Sequence, residues 1–305
     1  MLGNAVLTVT AKHTPKRLPN EGGACYHGAV SETFAERLRK AQQASGSLVC
    51  VGLDPDPAKL PQDLGGSSSP LYAFNRRIVD ATFDLAAAYK PQIAFYSAVG
   101  AEDQLASSIR YIRERAPDAL VILDAKRGDI GNTADAYARE AFERYGADAV
   151  TVNPYMGTDA VRPFLARPER GALLLCRTSN SGARDFQDLC LDGLPLYRHV
   201  ARHAASHWNQ HGNLMLVVGA TVPREMAELR AAHPGVPFLV PGIGAQGGDL
   251  EATLAAGLDA QGAGLLISAS RSIIYAGGGA PAAIRAAAAE LHAAINRERS
   301  KSRAA

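Results

Sequence analysis

The sequence predicts an α/β protein, a single-domain (β/α)8 barrel. Three observations predict it. Eight short apolar runs recur along the chain, segments of helical spacing fill the intervals, and polar residues collect just past the runs. The runs are near-continuously apolar rather than alternating, which marks strands buried on both faces of a helix-covered parallel sheet. Eight parallel strands can close on themselves, and the chemistry of such a barrel belongs at their carboxyl ends. A doubly wound open sheet is the alternative arrangement.

The elements follow in order. Residues before about Phe34 show no sustained amphipathic period, and Lys12, His13, Lys16 and Arg17 mix with prolines and glycines. Residues 1–30 therefore read as a disordered N-terminal extension, and residues 31–305 as the barrel domain. The first strand is Ser47 to Leu53, and the Gly65 to Pro70 loop leads to a helix from Tyr72 to Ala88. The second strand is Tyr89 to Phe95, with a helix over Glu102 to Glu114. The third is Leu120 to Asp124, with a helix over Thr133 to Tyr145. The remaining strands are Ala149 to Asn153, Ala172 to Cys176, Leu214 to Gly219, Pro237 to Val240 and Gly264 to Ser268. Gly277 to Pro281 opens an alanine-rich final helix, and Arg297, Arg299, Lys301 and Arg303 at its end oppose the helix dipole. That basic run reads as a solvated terminus rather than a nucleic-acid patch.

Composition excludes other classes. The chain has 305 residues, 47% hydrophobic and 20% charged, ordinary for a soluble protein with a substantial core. A net charge of +2 makes no case for nucleic acid or an anionic membrane. No apolar stretch approaches the roughly 20 residues needed to span a bilayer, and the N-terminus lacks the order of a secretory signal. Cys25, Cys50, Cys176 and Cys190 form no C-x-x-C pair or dense framework, so reduced thiols in a cytoplasmic protein are expected.

The segment from Val121 to Thr133 carries the most chemistry. Asp124, Lys126 and Asp129 follow the third strand, with Gly128 and Gly131 allowing a tight exit. If strand geometry persists through Lys126, it shares a face with Asp124, because strand side chains repeat every two residues. An Asp-Lys-Asp cluster can hold a lysine protonated and aim it, which suits proton delivery to a carbanion; the bland reading is a surface ion-pair cluster. Asp54, Lys90, Asn153, Ser179, Gln246 and Arg271 fall at the ends of other strands. Gly242-Ile-Gly-Ala-Gln-Gly247 is a literal G-x-G-x-x-G after the seventh strand, where barrels bind phosphate, and Arg271 adds a bidentate partner. A dinucleotide site, or glycines that only make turns, are the other readings. His199, His203, His207 and His211 recur every four residues and read as a solvent-facing helical stripe, a poor native metal site without a carboxylate or cysteine.

Six motifs in order then carry a family resemblance. They are Leu53-Asp-Pro-Asp-Pro57, Tyr89-Lys-Pro-Gln-Ile-Ala-Phe-Tyr96, Asp124-Ala-Lys-Arg-Gly-Asp-Ile-Gly-Asn-Thr133, Cys176-Arg-Thr-Ser-Asn-Ser-Gly-Ala183, Val240-Pro-Gly-Ile-Gly-Ala-Gln-Gly-Gly248 and Ser270-Arg-Ser-Ile-Ile-Tyr275. Together they resemble the orotidine 5′-phosphate decarboxylases, in the longer bacterial (type 2) subgroup, from about Phe34 to the final helix. The resemblance implies a (β/α)8, or TIM, barrel that forms a homodimer with active sites at the subunit contact. It implies conversion of orotidine 5′-monophosphate to uridine 5′-monophosphate and carbon dioxide, with no metal and no organic cofactor. By the same resemblance Lys126 is the proton donor to carbon 6 and Asp124 faces the departing carboxylate. Lys90 links Asp54 and Asp124, and Asp54 binds a ribose hydroxyl. Asp129 enters the partner's site with Thr133 nearby, Ser179 reads the pyrimidine amide, and Gln246 and Arg271 grip the phosphate. The competitors are magnesium-dependent relatives that share D-x-K-x-x-D, namely 3-keto-gulonate 6-phosphate decarboxylase and hexulose-phosphate synthase. A catalytically silent phosphate-binding barrel is a third reading, though it has no need of an Asp-Lys-Asp array.

Overall fold

In the computed structural model, which describes residues 32–243 and 248–304, eight parallel strands hydrogen-bond into a closed barrel. They are β1 (Val49–Leu53), β2 (Ala88–Pro91), β3 (Leu120–Arg127), β4 (Ala149–Val152), β5 (Gly171–Arg177), β6 (Leu214–Val218), β7 (Phe238–Pro241) and β8 (Leu265–Ala269). Each strand neighbours the next in sequence, and β8 closes onto β1 with Cys50 opposite Ser268. Closure rules out the open doubly wound sheet. The described residues belong to one compact unit, and residues 1–30, read as a disordered extension, lie outside them.

Most strands match the expected runs to within two residues, and two do not. The second ends at Pro91, and Ile93 and Phe95 belong instead to a helical turn around Ala94–Ser97. An apolar run does not by itself separate a strand from a buried turn. The third continues past Asp124 to Arg127. The helix expected from Tyr72 to Ala88 spans Pro70–Thr82, because Ala87 already donates its N–H to the Val49 carbonyl beside β2. The helix expected from Thr133 to Tyr145 begins at Gly131 and passes into a π-helical turn over Glu140–Arg144.

Strand alternation sorts the buried side chains into two clusters. Val49, Val51, Val121, Leu123 and Val150 point outward to the helices, whereas Cys50, Ala88, Ile122, Ala149 and Leu239 fill the barrel. A helix over Phe34–Ala44, not anticipated from the sequence, stoppers the amino-terminal end with Phe34, Leu38 and Ala41. Thr33 and Glu36 form its capping box, the Thr33 hydroxyl accepting from the Glu36 N–H and the Glu36 carboxylate from the Thr33 N–H. A Cβ on Gly171 would stand 2.6 Å from the Phe34 ring, so the stopper seats only where β5 begins with glycine. Asp148, fully buried beside β4, accepts from the Val121 N–H at 2.7 Å and pairs with Arg37 and Arg113. It ties the stopper helix to the strands.

Candidate active site

The carboxyl ends of the strands surround a cavity of about 1050 Å³. Alternation decides which side chains enter it. On β2, Ala88 faces inward and Tyr89 outward, so Lys90 turns in; on β3, Ile122 and Leu123 set the same phase for Asp124. Lys90 Nζ donates to Asp124 Oδ2 at 2.7 Å, and Lys126 Nζ donates to Asp124 Oδ1 at 2.6 Å. The Lys90 and Asp124 side chains are 8% and 10% exposed against 48% for Lys126, so the array has a buried root and an open tip. Burial alone would raise the Asp124 carboxyl. The charges of Lys90 and Lys126, with their hydrogen bonds, outweigh it and hold the group well below the usual carboxylate range. Burial also works against the Lys90 ammonium, but the Asp124 and Asp54 charges outweigh it and raise Lys90 above an ordinary lysine.

Lys126 does not meet Asp124 by strand alternation, as the sequence reading supposed. The register between β3 and β4 shifts between Leu123 and Arg127, and Lys126 adopts φ +47° in the left-handed region. The two side chains meet through this bulge. Thr151 of β4 stands beside it: its Oγ1 accepts from the N–H groups of Ala125 at 3.0 Å and Lys126 at 2.9 Å, and donates to Asp124 Oδ1 at 2.9 Å. The sequence reading passed over Thr151; the one hydroxyl in the apolar run Ala149–Val152 was the available signal.

Asp54 follows β1 and lines the cavity, and its Oδ1 is buried with no hydrogen-bond partner among the described residues. Tyr275 pins its loop, donating from its hydroxyl to the Asp54 carbonyl at 3.1 Å and accepting from the Asp56 N–H at 2.7 Å. Gly52 permits the turn before Arg271, since a Cβ there would stand 2.6 Å from Ser270 Cβ. Ser179, Gly242, Ile243 and Arg271 also line the cavity, so the loops after β5, β7 and β8 border it. Gln246 lies outside the described residues.

Two expected site residues are not on this cavity wall. Asp129 is half-buried and accepts from the Ile130 N–H at 2.8 Å, and Thr133 is exposed in the helix Gly131–Arg139. The segment after β5 is tethered by residues to which the sequence reading gave no individual role. Buried Arg177 pairs with Asp188 at 2.9 Å, and the Thr178 N–H donates to Gln187 Oε1 at 2.9 Å. The histidines are not one helical stripe. The helix Leu196–His203 becomes π-helical over Ala204–Trp208 and ends, which leaves His211 in a turn. Among the described residues no group of three or more histidine, cysteine or acidic side chains is placed to hold a metal. Nor is any helix among them long and apolar enough to cross a membrane.

Comparison with known proteins is consistent across sequence and structure. The profile of the "Orotidine 5'-phosphate decarboxylase / HUMPS family" matches residues 47–287. Orotidine 5'-phosphate decarboxylase of Janthinobacterium sp. (strain Marseille) is 54% identical over 267 residues, covering 87% of this chain and 98% of that protein. The Cellvibrio japonicus (strain Ueda107) protein of the same name is 55% identical over 268 residues, with 87% and 98% covered. The solved structure of Leishmania donovani OMP decarboxylase superposes with a TM-score of 0.77 at 42% identity, over 88% of this chain and 99% of that one. With a profile match across most of its length and relatives above half identity, the chain belongs to the orotidine 5'-phosphate decarboxylase / HUMPS family.

Proposed function

We propose that this chain decarboxylates orotidine 5′-monophosphate to uridine 5′-monophosphate and carbon dioxide, as a cytoplasmic enzyme of pyrimidine biosynthesis needing neither metal nor organic cofactor. The observation that carries the proposal is the Lys90–Asp124–Lys126 array on the cavity wall. Loss of carbon dioxide leaves its bonding electron pair on carbon 6 as a vinylic anion with no adjacent acceptor. Preorganised charge is the term best able to lower such a barrier, which asks for stabilisation near the upper end of the ~8–23 kcal/mol that enzymes supply. In this reading Asp124 confronts the departing carboxylate, and Lys126 gives a proton from Nζ to carbon 6 and recovers it from solvent. Lys90 keeps Asp124 ionised from below. Asp54, on the cavity wall, receives a ribose hydroxyl, Ser179 reads the pyrimidine amide, and Arg271 with Gln246 grips the phosphate. Binding of that remote phosphate helps close the loops over the charge array.

The reading includes a homodimer in which Asp129, with Thr133 nearby, serves the neighbouring subunit's site. Exposed apolar side chains on the loops after β2, β3 and β4 support it: Val99, Ile130, Tyr155 and Met156, from 48% to 82% exposed. The test is turnover of orotidine 5′-monophosphate, followed by its ultraviolet absorbance and by the uridine 5′-monophosphate formed, before and after extensive EDTA treatment. Undiminished turnover is expected. A loss restored by magnesium would place the chain with the metal-dependent members, and no turnover would overturn the proposal.

A further inference from the structure

We propose that Thr151 is a positioning residue for proton delivery, its hydroxyl fixing the bulged backbone that carries Lys126 and tying that backbone to the Asp124 carboxylate. The inference rests on the decarboxylation proposed above. A threonine hydroxyl has one hydrogen to give and two lone pairs. Here the hydrogen goes to Asp124 Oδ1, and the lone pairs receive the Ala125 and Lys126 N–H groups. Thr151 is only 2% exposed, so solvent has little room to substitute for it. Its β-branched side chain is stiff at χ1, and β4 is held in register, with Thr151 opposite Leu173 on β5.

Other contacts steady the bulge without touching the array. Arg127 donates to Glu140 Oε2 at 2.7 and 3.2 Å and lies over the Tyr137 ring, while the Asn153 N–H donates to the Arg127 carbonyl at 2.7 Å. Thr151 bonds both to the backbone at Lys126 and to the carboxylate that Lys126 must face. Without its hydroxyl, two N–H groups lose their partner, and Lys126 is released from a backbone conformation that side chains other than glycine resist. The ammonium then leaves its line to carbon 6 while the rest of the cavity stands.

The test compares wild type with Thr151→Val and Thr151→Ser, reading kcat and KM for orotidine 5′-monophosphate and the Kd for uridine 5′-monophosphate. Thr151→Val should lose about 100-fold in kcat, the scale of an ångström of misplacement. It should bind the product nucleotide within about threefold of wild type, because the misplaced group is not a ribose or phosphate contact. Thr151→Ser restores the hydroxyl and should return kcat to within about fivefold of wild type. Thr151→Cys, smaller than threonine and only a weak donor and acceptor, should show the same loss confined to kcat and covers the case in which the valine variant fails to fold. Wild-type kcat in the valine or cysteine variant, serine as impaired as valine, or equal loss of kcat and product affinity would each overturn the inference. An inactive wild type would overturn the parent reading as well, so the two failures are distinguishable.

Discussion

Asp124 holds two ammonium groups at once, and its protonation is linked to the stability of the chain. Its folded pKa is depressed below the roughly 3.9 of an unfolded aspartate, so the unfolded state takes up the proton first as pH falls. The contribution is fully present above the unfolded value and is lost as pH falls through the folded one. Asp124→Asn lacks that contribution at every pH. The difference in urea-unfolding free energy between wild type and Asp124→Asn should hold steady from neutrality down to about pH 5 and shrink below about pH 4. A difference that does not move across that window would contradict the assignment. Lys126→Ala should abolish measurable turnover, beyond the ~10²–10⁴-fold of ordinary proton-transfer catalysis, because it also strips one charge from the array. Binding of uridine 5′-monophosphate and the melting temperature should change little; near-normal turnover would refute the role given to Lys126. Asp124 and Lys126 were legible in sequence because they close an apolar strand run, whereas Lys90 stands second in the run read as a strand and comes to a strand end only because β2 stops at Pro91. Thr151 was not legible, since its meaning depends on β4 lying against the β3 bulge, a contact that no local spacing encodes.

At the scale of elements, the end of β3 was the hardest to read. The letters Asp-Ala-Lys suggest two more strand residues, and nothing in a lysine announces a positive φ. The strain at Lys126 is imposed by its neighbours, Thr151 on one side and the Arg127–Glu140 pair on the other. The stopper helix went unread for another reason. It precedes the first strand, outside the βα rhythm, although Thr33-x-x-Glu36 is a start signal visible in the letters. Its anchor is Phe34, 1% exposed and packed against Gly171. Phe34→Ala should cost about 3–5 kcal/mol of unfolding free energy in a denaturant titration, the range for a large aromatic removed from a packed interior. A loss under about 1 kcal/mol would mean that the helix is not seated as described.

At the scale of the whole molecule, the barrel and its order were legible because eight apolar runs at similar intervals admit few topologies. The proposal that two copies share their sites rests on resemblance, and subunit mixing tests it. Asp129→Ala and Lys126→Ala chains should each be nearly inactive. Dissociated and reassociated together in equal amounts, they should recover up to about one quarter of wild-type activity, since about half the dimers are mixed and each has one intact site. Confirmed subunit exchange with no recovery would place Asp129 in its own chain's site. The stopper also has an electrical consequence. Beneath Lys90 and Asp124 lie Cys50, Ala88, Ile122 and Leu239, sealed from below by Phe34. Burial there pushes the Cys50 thiol up to about 12, so it stays neutral. The lower half of the barrel is thus an insulating floor. Field lines from the charges above it meet closely packed apolar side chains underneath and emerge at the mouth, where a ligand must lie. A leak at Phe34, on the far side of the molecule, would dim that field without moving a single catalytic atom.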